Sequence, residues 1–274
     1  METGTKMLNE TLSEMRALKL DAMADKLQAL YEAPEFVSCD RLQLISNLIG
    51  EEFEHGMENR YASRLKRGKF KGTPCELDKC VDSRQRKYEP SGIVRTLSSL
   101  DFIEKGMNLC VFGASDSGKT YLAKALGADA CLKYHVEYYR CEELLEDLAS
   151  LKETDFRKYK KRMNHLIRLD LLILDDFLLH SISDEDEKKV LYEVLEKRNE
   201  LERSCIICSQ REPKAWTTML LQDEVSSNSQ RGNHNWREGL TGARPLARRP
   251  TAGNASATAG RRKMQLQIRT IEKR

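Results

Sequence analysis

The run NLCVFGASDSGKTYLAKALGADA, residues 108–130, decides how the rest of the chain is read. Its first residues, Asn108 to Phe112, are apolar enough for a buried strand, and Lys119 to Ala130 suit a helix. Between them, GASDSGKT fits the pattern G-x-x-x-x-G-K-[ST] in its expected strand-to-helix context. Gly113 and Gly118 let the backbone turn so tightly that its N–H groups converge on one point. The helix N-terminus adds partial positive charge there, which suits phosphate. The whole loop, Gly113, Ala114, Ser115, Asp116, Ser117, Gly118, Lys119 and Thr120, is therefore the candidate nucleotide cradle. Lys119 is placed to reach the β- and γ-phosphates of ATP, and the Thr120 hydroxyl to hold Mg2+.

A second motif lies downstream. LDLLILDDF, Leu169 to Phe177, is an apolar strand with two acids at its C-terminal end, the end where parallel sheets bind ligands. Asp175 is expected to organise magnesium, and Asp176 to orient or deprotonate the attacking water. A further apolar strand, Cys205–Cys208, ends in Ser209 and Gln210, and Gln210 is the candidate for sensing the γ-phosphate or holding the water. Strands at 108–112, 136–139, 171–174 and 205–208 alternate with helical stretches at 119–130, 142–151 and 184–201. Such alternation predicts an α/β fold, a parallel sheet with helices on both faces.

Upstream, residues 7–66 read as helical. Leu20, Met23, Leu27 and Leu30 form one apolar stripe; Pro34 breaks it; Ser38 or Asp40 can cap a second helix with the stripe Leu42, Ile45, Leu48, Ile49 and Phe53. Residues 72–92 carry turn formers without periodicity and read as a linker. The expected organisation is a small all-helical domain at 1–71, the linker at 72–92, an α/β core at 93–228 and a tail at 229–274. After Asn228 the chain becomes rich in Gly, Ala, Arg and Pro and poor in acids, a composition expected to stay disordered.

With 40% hydrophobic and 32% charged residues, the chain reads as soluble and globular. No apolar run approaches the ~20 residues needed to span a bilayer. The start, METGTKMLNE, has no signal-peptide core, so a cytoplasmic protein without a membrane partner is expected. Net charge is only +3, but basic residues cluster. Arg60, Arg64, Lys66, Arg67, Lys69 and Lys71 form one run without an acid. Arg157, Lys158, Lys160, Lys161 and Arg162 form another, with Phe156 and Tyr159 interleaved. Such clusters can neutralise a nucleic-acid backbone, with binding that weakens steeply in salt. No helix-turn-helix or zinc-finger signature points to base reading. The eight cysteines read as reduced thiols. Cys205 and Cys208 have CxxC spacing, but strand alternation sends them to opposite faces.

These motifs, taken with LKLDAMADKL, EEFEHGMENR–YASRLKRGKFKG, HSISDEDEKKVLYEVLEKRNE and SCIICSQREPKAW, make residues 10–228 resemble the IstB-like ATP-binding proteins, helper ATPases of insertion-sequence transposition. That group belongs to the AAA+ superfamily of P-loop NTPases and is close kin to the DnaC-type helicase loaders. The resemblance implies an ATP-dependent, DNA-associated protein that forms homo-oligomers and works beside a transposase. It gives Lys119 and Thr120 the Walker A roles, Asp175 and Asp176 the Walker B roles and Gln210 the sensor role. Arg198, in LEKRNE, falls where the family usually has an arginine.

Two departures stand out. Asp116 occupies a loop position that is usually small or neutral. The family pattern, with its last apolar strand and the arginine expected to reach a neighbour's γ-phosphate, stops near Asn228. The break reads as a foreign, frameshifted continuation, a hypothesis that translating the other two reading frames would test; it predicts a sheet lacking its last strand. Three functions therefore stay open on the sequence: a transposition helper ATPase, a DnaC-like helicase loader, and a hydrolysis-defective copy that binds nucleotide or DNA without turnover.

Overall fold

The structure is a computed structural model that describes residues 2–34, 36, 39–70, 75–82, 86–213, 215–216, 219 and 265–272. The chain divides into two compact units, Met1–Ser63 and Arg64–Arg274.

The first unit is helical. It comprises α1 (Glu2–Ala17), α2 (Asp21–Glu32) and most of α3 (Arg41–Arg67). The single helix expected before Pro34 is thus two. Lys19 takes a left-handed conformation at φ 62°. The Lys19 N–H then bonds the Arg16 carbonyl and the Leu20 N–H that of Met15, a Schellman stop built without glycine and hence silent in the sequence. Asp40 caps α3, accepting from the N–H groups of Leu42 (3.0 Å) and Gln43 (3.1 Å). Leu12, Ala24 and Leu48 are buried, and Arg16 pairs with Asp25 at 3.0 Å. Of the stripe expected to face a core on α3, only Leu48 is buried; Leu42, Ile45, Ile49 and Phe53 are exposed.

The second unit is built on a six-stranded sheet. Its strands are β1 (Arg86–Glu89), β2 (Asn108–Gly113), β3 (Val136–Arg140), β4 (Leu171–Asp175), β5 (Ser204–Ser209) and β6 (Gln265–Glu272), in the spatial order β1-β6-β2-β5-β4-β3. The five strands from β6 to β3 are parallel; β1 runs antiparallel to β6. Every residue of β4 and β5 is buried, which is why both read as unbroken apolar runs.

The helices are α4 (Ile93–Leu97), α5 (Asp101–Glu104), α6 (Lys119–Ala130), α7 (Cys141–Thr154), α8 (Phe156–Arg168) and α9 (Glu185–Glu200). Leu172, Leu174, Cys205 and Ile207 share one core with apolar residues of α7, α8 and α9. The opposite face receives α6, whose Gly127 lies against Ile173 so closely that a Cβ there would be 2.6 Å from the Ile173 Cδ1. Helices therefore cover both faces, as the alternation predicts.

Arg157, Lys158, Lys160 and Lys161 lie on the outer side of an amphipathic helix, α8, whose inner side buries Tyr159, Met163, Leu166 and Ile167, while Arg162 is half-buried and donates to the Tyr139 hydroxyl. The segment expected as a linker contains β1 and a 3-10 turn, Leu77–Lys79, with Leu77, Cys80 and Tyr88 buried. Four strand residues are too few to show a period.

The tail expected to be disordered supplies β6, inserted between β1 and β2, so the sheet does not lack a strand there. In that stretch Leu266 and Ile268 alternate with Gln265, Gln267 and Arg269, a short period of two. The surrounding Gly and Arg hid it. The rest of the tail, 229–264 and 273–274, lies outside the described residues. All eight cysteines are free, six of them buried.

Candidate functional site

The phosphate loop leaves β2 and enters α6 with its strain placed as the motif requires. Gly118, the residue before α6, sits at φ 89°. Asp116 adopts φ 59° and is exposed, so the unusual acid lies on the solvent side of the loop. Ser117 is buried and donates to the Ala114 carbonyl at 2.7 Å. The Lys119 ammonium donates to the same carbonyl at 2.5 Å. Lys119 is itself buried, and burial pulls its pKa down against the opposing pull of Cys208, Asp175, Asp176 and Asp116. A cation held this way gains by exchanging a neutral carbonyl for a phosphate oxygen.

The acid pair stands at the C-terminal edge of β4, beside β3 on one side and β5 on the other. Asp175 is 2% exposed. Its Oδ1 accepts the Asp176 N–H at 3.0 Å and its Oδ2 the Tyr138 hydroxyl at 2.7 Å. Among the described residues no basic side chain lies within ion-pair distance of it. A buried carboxylate without a cationic partner is the hard-oxygen donor that suits Mg2+. Asp175, with the Thr120 hydroxyl in the first turn of α6, is the candidate to hold that ion.

Asp176 turns at φ 52° and is half-exposed, with Arg140 Nε at 3.9 Å from its carboxylate. Burial first, and then the charge of Asp175, push its pKa above the ordinary aspartate value. A carboxylate so destabilised is a better proton acceptor.

The floor beneath the pair is held by β5. Phe177 donates its N–H to Cys208 O at 2.8 Å and packs edge-on against Trp216. Ser209 donates to Phe177 O at 2.8 Å and accepts from Trp216 Nε1 at 3.3 Å. Gln210, one residue beyond, is exposed at the tip of β5, the strand between β2 and β4. Topology therefore brings the tips carrying Lys119, Gln210 and Asp175 side by side. Tyr138 and Arg140, neither singled out from the sequence, join them from β3.

The other expected residues separate. Arg198 is 0% exposed; it donates to the carbonyls of Leu166, Ile167, Leu169 and Ser204 and so belongs to the interior. Of the first basic run, Arg60, Lys66, Arg67 and Lys69 are exposed. Arg64 instead donates to the carbonyls of Cys131 (3.2 Å) and Leu132 (2.7 Å), just past the end of α6. Lys71 lies outside the described residues.

A phosphate-cradling loop between strand and helix, with an acid pair ending a nearby parallel strand, defines a P-loop nucleotide-binding fold. The chain belongs to the family of IstB-like ATP binding proteins, whose model matches residues 13–229. Among its relatives, an insertion sequence IS1162 putative ATP-binding protein of Pseudomonas fluorescens is 30% identical over 205 residues, 74% of this chain and 87% of that protein. A putative insertion sequence ATP-binding protein of Sinorhizobium fredii is 30% identical over 211 residues, 77% of this chain and 84% of that one.

Among solved structures, the DnaC helicase loader is similar at TM-score 0.43 and 20% identity, over 54% of this chain and 85% of that one. The replication initiator DnaA bound to AMPPCP and single-stranded DNA is similar at TM-score 0.45 and 19% identity, over 53% of this chain and 44% of that one. No helix among the described residues is long and apolar enough to cross a membrane.

Proposed function

We propose that this chain is a cytoplasmic, ATP- and magnesium-dependent helper of transposition that assembles as a homo-oligomer on DNA and works with a transposase. The observation that carries the reading is the meeting of Lys119 with Asp175 and Asp176 at one edge of the sheet, in a chain of an ATP-binding family whose relatives come from insertion sequences.

In this reading the loop N–H groups and Lys119 bind the β- and γ-phosphates, while Thr120 and Asp175 hold the metal. Magnesium would neutralise charge developing on the phosphate oxygens. Asp176, at the rim and readily protonated, takes the proton of the attacking water, and Gln210 orients that water from the tip of β5. The exposed basic residues Arg60, Lys66, Arg67 and Lys69 meet the DNA backbone, together with the acid-free outer side of α8. Arg64, bound to backbone carbonyls, supports the fold.

A second reading, nucleotide binding without turnover, is favoured by the burial of Arg198, which withdraws that arginine from any neighbour's γ-phosphate.

ATP hydrolysis by the purified chain, with and without duplex DNA and beside Lys119→Ala, decides between them. DNA-stimulated turnover that vanishes in the variant supports the helper ATPase. Binding of ATP without turnover leaves the second reading. Turnover unaffected by Lys119→Ala would overturn the site.

A further inference from the structure

We propose that Tyr138 is a positioning residue for Asp175, and that the segment Gly68–Phe70, at the end of α3, holds Tyr138 in place. The inference deepens the reading above, since it rests on Asp175 as the magnesium-organising acid.

Tyr138 sits in the middle of β3, with its backbone engaged on one side and its hydroxyl on the other. Its N–H donates to the Gly68 carbonyl at 2.9 Å, and its hydroxyl reaches Asp175 Oδ2 at 2.7 Å. The ring between these two bonds is confined. The Phe70 ring lies 6.5 Å away, and the Lys124 ammonium sits 4.6 Å from the Tyr138 centroid. Phe70 in turn fills the space that Gly127 of α6 leaves open: a Cβ on Gly127 would stand 2.7 Å from Phe70 Cζ. A Cβ on Gly68 would be 2.4 Å from the Phe70 ring and 3.0 Å from the Val136 carbonyl, so a side chain there would displace Phe70 from its place beside β3.

Two further contacts fasten the same stretch, Arg64 to the carbonyls beyond α6 and the Lys69 ammonium over the Tyr139 ring at 4.1 Å. The consequence for the site is geometric. Asp175 has two oxygens and two donors, one from the neighbouring backbone and one from Tyr138. The hydroxyl fixes the carboxylate rotamer and leaves its remaining lone pairs in one orientation for a cation. Partners of this kind orient metal ligands, and their loss weakens metal affinity by roughly 10–100-fold. The exposed basic residues Lys66, Arg67 and Lys69 stand in or beside the stretch that clamps Tyr138. A backbone engaged by those residues would therefore bear on the metal side of the nucleotide site through one side chain.

The test is the Mg2+ dependence of binding of a non-hydrolysable, fluorescent ATP analogue to the full chain, in wild type, Tyr138→Phe, Phe70→Ala and the double variant. Tyr138→Phe keeps the ring and its packing and removes only the hydroxyl. The half-saturating Mg2+ concentration should rise roughly tenfold or more, with analogue affinity in EDTA essentially unchanged. Phe70→Ala should move it in the same direction by less, and add nothing to Tyr138→Phe in the double variant, because both act through one bond. Should the alanine variant not fold, Phe70→Leu takes its place.

An unchanged Mg2+ requirement in Tyr138→Phe overturns the positioning role. Additive effects overturn the clamp. Wild-type protein that binds no analogue at any Mg2+ concentration removes the nucleotide-site reading, and this inference with it, a result distinct from either of the others.

Discussion

Arg198 donates through Nη1 to the carbonyl oxygen of Leu169, 2.9 Å away, although the two lie 29 positions apart. The same guanidinium bonds Leu166 O at 2.5 Å and Ser204 O at 2.6 Å, and its Nε contacts Cys205 Sγ. One side chain on α9 thus satisfies carbonyls at the C-terminal end of α8 and the first residue of β5, and its charge sits at a helix C-terminus, where a cation is favoured. Arg198→Met would leave several buried carbonyls without donors. A loss of about 3 kcal/mol is expected, read as a drop in denaturant midpoint. A variant of unchanged stability but lost turnover would point instead to a role across a subunit boundary.

The raised pKa of Asp176 has a consequence for stability. Its folded pKa lies above its ordinary value of 3.8, so the folded state prefers the protonated acid. That preference stabilises the fold below the ordinary value and is lost as pH rises through the folded pKa. At neutral pH the ionised side chain is therefore a cost, and Asp176→Asn should raise the melting temperature at pH 7 with no gain below about pH 3.8. Under the proposed mechanism the same variant loses hydrolysis while still binding ATP. Equal melting curves for the two proteins at pH 7 would contradict the argument.

Arg64 and its neighbours in the basic run should part company. Lys66→Ala or Arg67→Ala is expected to lower DNA affinity evenly across sequences and to reduce the slope of log affinity against log salt by about 1. Arg64→Ala should leave that slope alone and lower stability by about 1–2 kcal/mol, the loss of its two bonds to Cys131 and Leu132. Salt titrations of duplex binding beside melting curves separate the two behaviours.

Ending the chain at residue 264 removes β6 and unpairs β1 and β2 at once. Two open strand edges invite pairing between chains. The truncated protein should elute as aggregate on size exclusion and melt earlier than the full chain. A monodisperse product of unchanged melting temperature would show that β6 adds nothing to the sheet.

The nucleotide loop and the acid pair were legible because each rests on local chemistry. Phosphate binding needs glycines, a lysine and a helix start within eight positions of one another, and β4 needs an apolar run ending in acids. The sheet was legible as far as its strands are buried on both faces; β1, four residues long, and β6, within an arginine-rich tail, were not. The stop at Lys19 escaped because a lysine did a glycine's work. The basic residues at 60–71 were named as one run, yet only their surroundings separate Arg64 from Lys66 and Arg67.

By itself the sequence determined the class of fold and the candidate phosphate loop, since both follow from spacing along the chain. Only the tertiary structure decided that Tyr138 touches Asp175, that Arg198 is interior and that the tail closes on β1 and β2. Those outcomes depend on which distant segments the sheet order makes neighbours, and strand order is set by the packing of whole faces, not by any one stretch of residues.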